Sequence, residues 1–124
     1  MPWTRPSLAL ALAALALTGC GDAGPSVREP TGDFSVTLDE YYMRPQTIRV
    51  AKNRRLTVTV VNRGRISHTF RIRSANHNVL AVPSIKPGGS RQRRDFRLAA
   101  GTYRMYCVLA NHEELGMYGS LTVG

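Results

Sequence analysis

From Phe34 onward, apolar residues recur at every second position in short runs, and residues that favour turns separate the runs. This alternation constrains the chain more than any other feature, because it places one face of each run in a core and leaves the other in water. Phe34, Val36 and Leu38 form the first run, and Ile48 and Val50 repeat the pattern after Pro45. Leu56, Val58 and Val60 follow, ending at the turn signal Asn62-Arg63-Gly64. Phe70 and Ile72 come after His68 with the same period. Pro87-Gly88-Gly89 marks another turn, and Phe96 and Leu98 then alternate with arginine. Gly101 opens a run through Tyr103, Met105 and Cys107, and Leu121 to Val123 closes the chain. Val79 to Ile85 reads as either a strand or an irregular crossover. No long stretch has a helical period. The pattern predicts an all-β Greek-key sandwich of about seven to eight strands over residues 33–124, enough chain for one modest core.

The first residues have another character. Met1 to Ser7 carries one charge, Arg5, and Leu8 to Leu17 is an unbroken run of Leu and Ala. The run is about half the length that a membrane-crossing helix needs, and it fits the apolar region of a secretory signal peptide. Leu17-Thr18-Gly19-Cys20 resembles the lipobox of bacterial lipoproteins. That resemblance implies cleavage after residue 19, lipid on Cys20, and anchoring at the extracytoplasmic face of the cell membrane, where multiple acyl chains hold stably. Residues 20–32, rich in Gly, Pro, Ser, Asp and Glu, are expected to be a flexible tether.

The cysteine count gains meaning from this. Two cysteines in an exported chain would suggest a disulfide. With lipid on Cys20, Cys107 is a lone thiol outside the cytoplasm and needs protection by burial or by a metal. The charge is also informative. The chain carries a formal net charge of +9, and loss of the leader removes only Arg5. Between Arg44 and Arg104 the single acid is Asp95. Such a surface is either simply solvated or attracts anionic headgroups or an acidic redox partner. Nucleic acid is not expected, since neither a reading helix nor an aromatic platform is present.

The segment that carries chemistry is Cys107-Val-Leu-Ala-Asn-His112-Glu-Glu-Leu-Gly-Met117. A strand delivers the thiol, a short loop carries the imidazole and the thioether, and another strand follows. These soft-to-borderline donors suit copper better than magnesium, calcium or manganese. A mononuclear copper site needs a further imidazole, and His68, at the start of its strand, is favoured over His77 in the loop Ser74 to Asn78.

The C-x4-H-x4-M spacing, the upstream Gly101-x-Tyr103-x-x-x-Cys107 strand and the closing Gly119-x-Leu121-x-Val123 resemble the cupredoxins, the type 1 blue copper family. The spacing is similar to that of auracyanins and rusticyanins, and the Asn62-x-Gly64 turn before His68 fits the same pattern. The resemblance covers roughly Phe34 to Gly124. It implies a cupredoxin-like sandwich holding one type 1 copper ion, with His68, Cys107 and His112 as trigonal ligands and Met117 as the long axial one. Many cupredoxins have Asn directly after the first histidine; this chain has Thr69, which puts the bonding around the thiolate in question.

A site of three strong ligands and one weak one leaves no open position for substrate. Only His68, His77 and His112 exist, too few for the additional centres of multicopper oxidases or copper nitrite reductases. A cysteine hydrolase built on Cys107 and His112 is disfavoured, because Cys107 ends a strand beside Glu113 and Glu114 rather than near positive charge. The expected function is therefore a membrane-anchored, monomeric carrier of single electrons between redox proteins, not an enzyme. The alternative is a copper carrier or resistance lipoprotein, although such proteins tend to use Met- or His-rich tracts that this chain lacks. Transfer is expected through the edge of His112, with Leu109, Ala110, Leu115 and Gly116 as an apolar docking patch.

Overall fold

The computed structural model describes residues 26–124. The expected leader, Cys20 and the first part of the expected tether lie outside these residues. Ten strands and one helical turn follow in order: β1 (Ser26–Glu29), β2 (Asp33–Asp39), β3 (Tyr42–Arg44), β4 (Thr47–Val50), β5 (Leu56–Asn62), β6 (His68–Arg73), β7 (Asn78–Ile85), β8 (Ser90–Phe96), β9 (Gly101–Tyr106), α1 (His112–Leu115) and β10 (Tyr118–Val123). They form a six-stranded sheet, β1-β4-β10-β9-β6-β7, and a four-stranded sheet, β3-β2-β5-β8. Both sheets are mixed. In the first, β4 runs parallel to β1 and β10 while the other pairs are antiparallel; in the second, β2 and β5 are parallel. The all-β sandwich expected from the alternation is the fold observed.

The alternating residues do what their period requires. Phe34, Val36 and Leu38 from β2, Val58 and Val60 from β5, and Phe70 and Ile72 from β6 point into one core shared by the two sheets. Burying a side chain of this size contributes roughly 1.5–3 kcal/mol.

The strand count exceeds the expected seven to eight for physical reasons. β3 is only three residues long, too short to show a period. β1 lies inside the segment expected to be a tether, with Val27 half-buried. It pairs in parallel with β4 along the edge that β10 leaves free, through backbone groups that carry no sequence signature. The tether reading of residues 20–32 therefore does not hold at Ser26–Glu29. Val79 to Ile85 belongs to a true strand, β7, which pairs with β6 across two register irregularities.

This topology gathers the site. β6 and β9 are antiparallel, as are β9 and β10. The start of β6, the end of β9 and the start of β10 consequently share one end of the sandwich. His68 opens β6, Cys107 follows β9, and Met117 precedes β10.

Candidate metal centre

Cys107 is fully buried, and its backbone N–H donates to the carbonyl of Met117 at 3.1 Å. Between these residues the chain winds through a single helical turn. The N–H of His112 donates to Leu109 O at 2.9 Å, and that of Met117 to His112 O at 3.0 Å. These bonds return the loop to its starting point, so that Cys107, His112 and Met117 are all buried together. Gly116 adopts φ +125° beside the carbonyl of Tyr41, where any Cβ would come within 2.8 Å of that oxygen.

His68 completes the group. One ligand atom each from His68, Cys107 and His112 can be chosen so that all lie within 4.8 Å of one another. The Cys107 sulfur is 3.7 Å from His112 Nδ1, and the two imidazole rings meet edge-on at 5.2 Å between centroids. His68 is wholly buried, and its Nδ1 has no hydrogen-bond partner among the described residues. A buried acceptor left in this state costs about 1–3 kcal/mol, unless a metal takes its lone pair. Burial, with a further contribution from His68, lowers the pKa of His112 below its ordinary value and keeps that lone pair available too. A thiol, two imidazoles and a buried thioether, shielded from water, suit a type 1 copper ion. His77, the competing candidate, is exposed in its loop and bonded to Ser74, away from this group.

Thr69 resolves the question raised by the missing asparagine. Its hydroxyl donates to the Cys107 sulfur at 3.4 Å and accepts the N–H of Val108 at 2.9 Å. A hydroxyl is both donor and acceptor, so one side chain braces the loop and bonds the sulfur.

Two further groups support the site, Asn62 of the turn that the sequence marked and Glu40, which the sequence did not mark. Asn62, fully buried, donates to the carbonyls of Ile66 and Ile85 at 2.8 Å each and accepts the N–H of Gly64 at 2.9 Å, which ties down the approach to His68. Glu40, in the turn between β2 and β3, accepts from the N–H groups of Arg65 and Ile66 and lies 3.1 Å from His68 Nε2. Partial desolvation opposes its ionisation, but the backbone donors and His68 outweigh it and hold the pKa below the ordinary value. The only advance signal was an acid at a strand end in an acid-poor chain.

Glu113, partly exposed on the loop, is paired with the sheet. A single oxygen accepts from Arg73 at 2.8 Å and Arg104 at 2.6 Å. The two guanidinium groups lie on adjacent strands, over the rings of Tyr106 and Tyr118. Glu113 thus ties the loop bearing His112 to the sheet. The exposed edge of this end carries Leu109, Ala110 and Leu115, as expected, and also Tyr41, Ile66 and Val108.

Structural comparison agrees with this construction. The chain resembles reduced auracyanin from the photosynthetic bacterium Roseiflexus castenholzii with a TM-score of 0.69 and 18% identity, over 77% of this chain and 99% of that one. It resembles reduced rusticyanin with a TM-score of 0.64 and 15% identity, over 80% and 84% respectively. A multicopper oxidase from Campylobacter jejuni also matches, with a TM-score of 0.60 and 15% identity, over 77% of this chain but only 30% of the oxidase. At such identities the likeness establishes the fold. Among curated proteins, no sequence matches this chain. The sequence does match the cupredoxin-like domain over residues 7–123. The chain belongs to the cupredoxin-like family, whose copper chemistry its buried donors fit.

Proposed function

We propose that the protein carries single electrons on one copper ion, which His68, Cys107, His112 and Met117 would hold. The observation that carries this reading is the convergence of three buried donors within 4.8 Å at one end of the sandwich. Copper, when bound, supplies one-electron oxidation and reduction. The chain's part is to hold the donors rigid and exclude water, which Thr69, Asn62 and the hydrogen-bonded turn do. A closed set of ligands, with His77 the one histidine left over in the sequence, supports a carrier rather than an oxidase or reductase. Titration with Cu(II) should give one equivalent of a strong thiolate charge-transfer band, bleached by one electron per protein and absent in Cys107→Ser. A colourless adduct, or only a weak d–d band, would overturn the assignment.

His112 is 8% exposed, and the apolar residues around it form the surface that a redox partner would meet. Glu113 is engaged by two arginines, so Glu114 is the exposed carboxylate of the loop, while Arg63 and Arg65 are exposed on the segment before His68. This balance favours an acidic partner. Leu115→Glu is expected to slow partner reduction severalfold while leaving the copper band intact; an unchanged rate would remove the docking role. Lipid on Cys20 would place this surface outside the cytoplasm and close to a membrane. With β1 docked on the sheet, the link from Cys20 to Ser26 spans at most about 20 Å when fully extended. Cys20→Ser should move the protein from the membrane to the soluble fraction, and retention on the membrane would refute the anchor.

A further inference from the structure

The turn between β2 and β3 reaches the metal centre from the opposite sheet, and its contacts with the two histidines are unlike. Tyr41 lays its ring edge-on against His112 at 5.0 Å, an apolar contact. Glu40 meets His68 with a carboxylate oxygen at 3.1 Å from Nε2. A carboxylate oxygen only accepts, so Nε2 carries a proton and donates to Glu40, and Nδ1, the buried atom without a partner, is the nitrogen left for the metal. The carboxylate is itself fixed, since the same oxygen accepts the N–H groups of Arg65 at 2.8 Å and Ile66 at 3.2 Å. Room for it depends on Gly64, where a Cβ would collide with that oxygen.

We propose that Glu40 is a positioning residue of the copper centre, which fixes the ring of His68 and lowers the reduction potential by placing a negative charge one imidazole away from the metal. This rests on the copper reading above and extends it to what sets the potential. A carboxylate that accepts a ligand's N–H makes the imidazole a stronger donor. Both that effect and the charge itself favour the more positively charged oxidation state of the metal. The geometry separates the two parts of the role. Glutamine at position 40 can keep its carbonyl oxygen in place to accept all three N–H groups while losing the charge; alanine loses both.

The test compares Glu40→Gln, Glu40→Ala and Glu114→Gln in the copper-loaded protein. Glu114→Gln makes the same change of charge at an exposed site of the ligand loop. Glu40→Gln should keep the charge-transfer band and raise the reduction potential, by more than Glu114→Gln does. Glu40→Ala should raise it as well and release copper to a chelator at least severalfold faster. Equal potentials in the parent and Glu40→Gln, or an equal shift in Glu114→Gln, would overturn the inference while a blue parent protein left the copper reading standing. So would loss of thermal stability in the metal-free Glu40 variants with no change of potential, since that is what a merely structural turn would show. A parent protein that forms no charge-transfer band would overturn both readings.

Discussion

The two sides of the metal centre are built on different principles. On one side, Cys107, His112 and Met117 come from a single loop, wound by its own backbone hydrogen bonds and tied to the sheet through Glu113 near the surface. On the other, His68 sits in a wall assembled from distant pieces, Glu40, Asn62, Gly64 and Thr69, with Asn62 bonded in the interior and Glu40 bonded nearer the surface to the backbone of Arg65 and Ile66. The loop supplies three of the four donors; the wall holds the fourth, His68, through Asn62 in the interior and Glu40. A loop held by half-exposed charges can be loosened without unfolding the protein, whereas a wall held by buried polar groups cannot.

The largest effect should come from breaking the wall at Asn62. Asn62→Ala leaves the carbonyls of Ile66 and Ile85 and the N–H of Gly64 without their partner. Unsatisfied buried groups cost about 1–3 kcal/mol each, so the metal-free protein should lose on the order of 3 kcal/mol in urea unfolding. A loss no greater than that of a surface substitution would show that the wall is not what makes this end of the sandwich rigid.

The same contrast explains what could be read in the sequence. The loop donors were legible because their spacing is local and one turn of chain fixes it. The sandwich was legible because burial imposes a period of two on strands such as Phe34 to Leu38. His68 was reached by weighing it against His77, and its place at the start of β6 follows from the pairing of β6 with β9. Glu40 was not legible: it is 28 residues from His68, and only the meeting of the two sheets brings them together. Gly64 showed as a turn residue, but its second reason, leaving room for the Glu40 carboxylate, belongs to tertiary structure. Thr69 looked like the loss of an asparagine, because a sequence pattern records residue type and not that a hydroxyl can donate and accept at once. β1 went unseen because an edge strand held by backbone groups needs no apolar pattern.

Thr69 joins the two sides, since it stands in the wall and bonds the loop at Cys107 and Val108. Thr69→Val keeps the shape and removes the hydroxyl. Two hydrogen bonds are lost, one to the sulfur and one from the Val108 N–H, so the expected cost in unfolding free energy is about 2 kcal/mol, at about 1 for each. The sulfur also loses a donor that draws electron density away from it, so the reduction potential should fall, opposite to the direction expected of Glu40→Gln. A shift of the charge-transfer band together with a lower potential is the outcome to measure. An unchanged spectrum and potential would mean that the bond to sulfur, at 3.4 Å, has no electronic consequence.

Glu113→Ala sharpens the comparison from the loop side and should have the smallest effect on folding. The carboxylate and both guanidinium groups are partly exposed, with side-chain accessibilities of 27%, 38% and 42% for Glu113, Arg73 and Arg104. Water already screens such pairs, and the change should cost less than about 1 kcal/mol in the metal-free protein. Its consequence should instead appear at the metal. With the tie removed, Arg73 and Arg104 repel each other across adjacent strands, and the turn bearing His112 is free to lift from the sheet. Copper release to a chelator should then be severalfold faster while the urea midpoint barely moves. If Glu113→Ala instead destabilises the metal-free fold as much as Asn62→Ala does, the loop is part of the rigid frame and the division between the two sides disappears. If neither stability nor release changes, backbone hydrogen bonds alone hold the loop, from Cys107 N–H on Met117 O to Met117 N–H on His112 O.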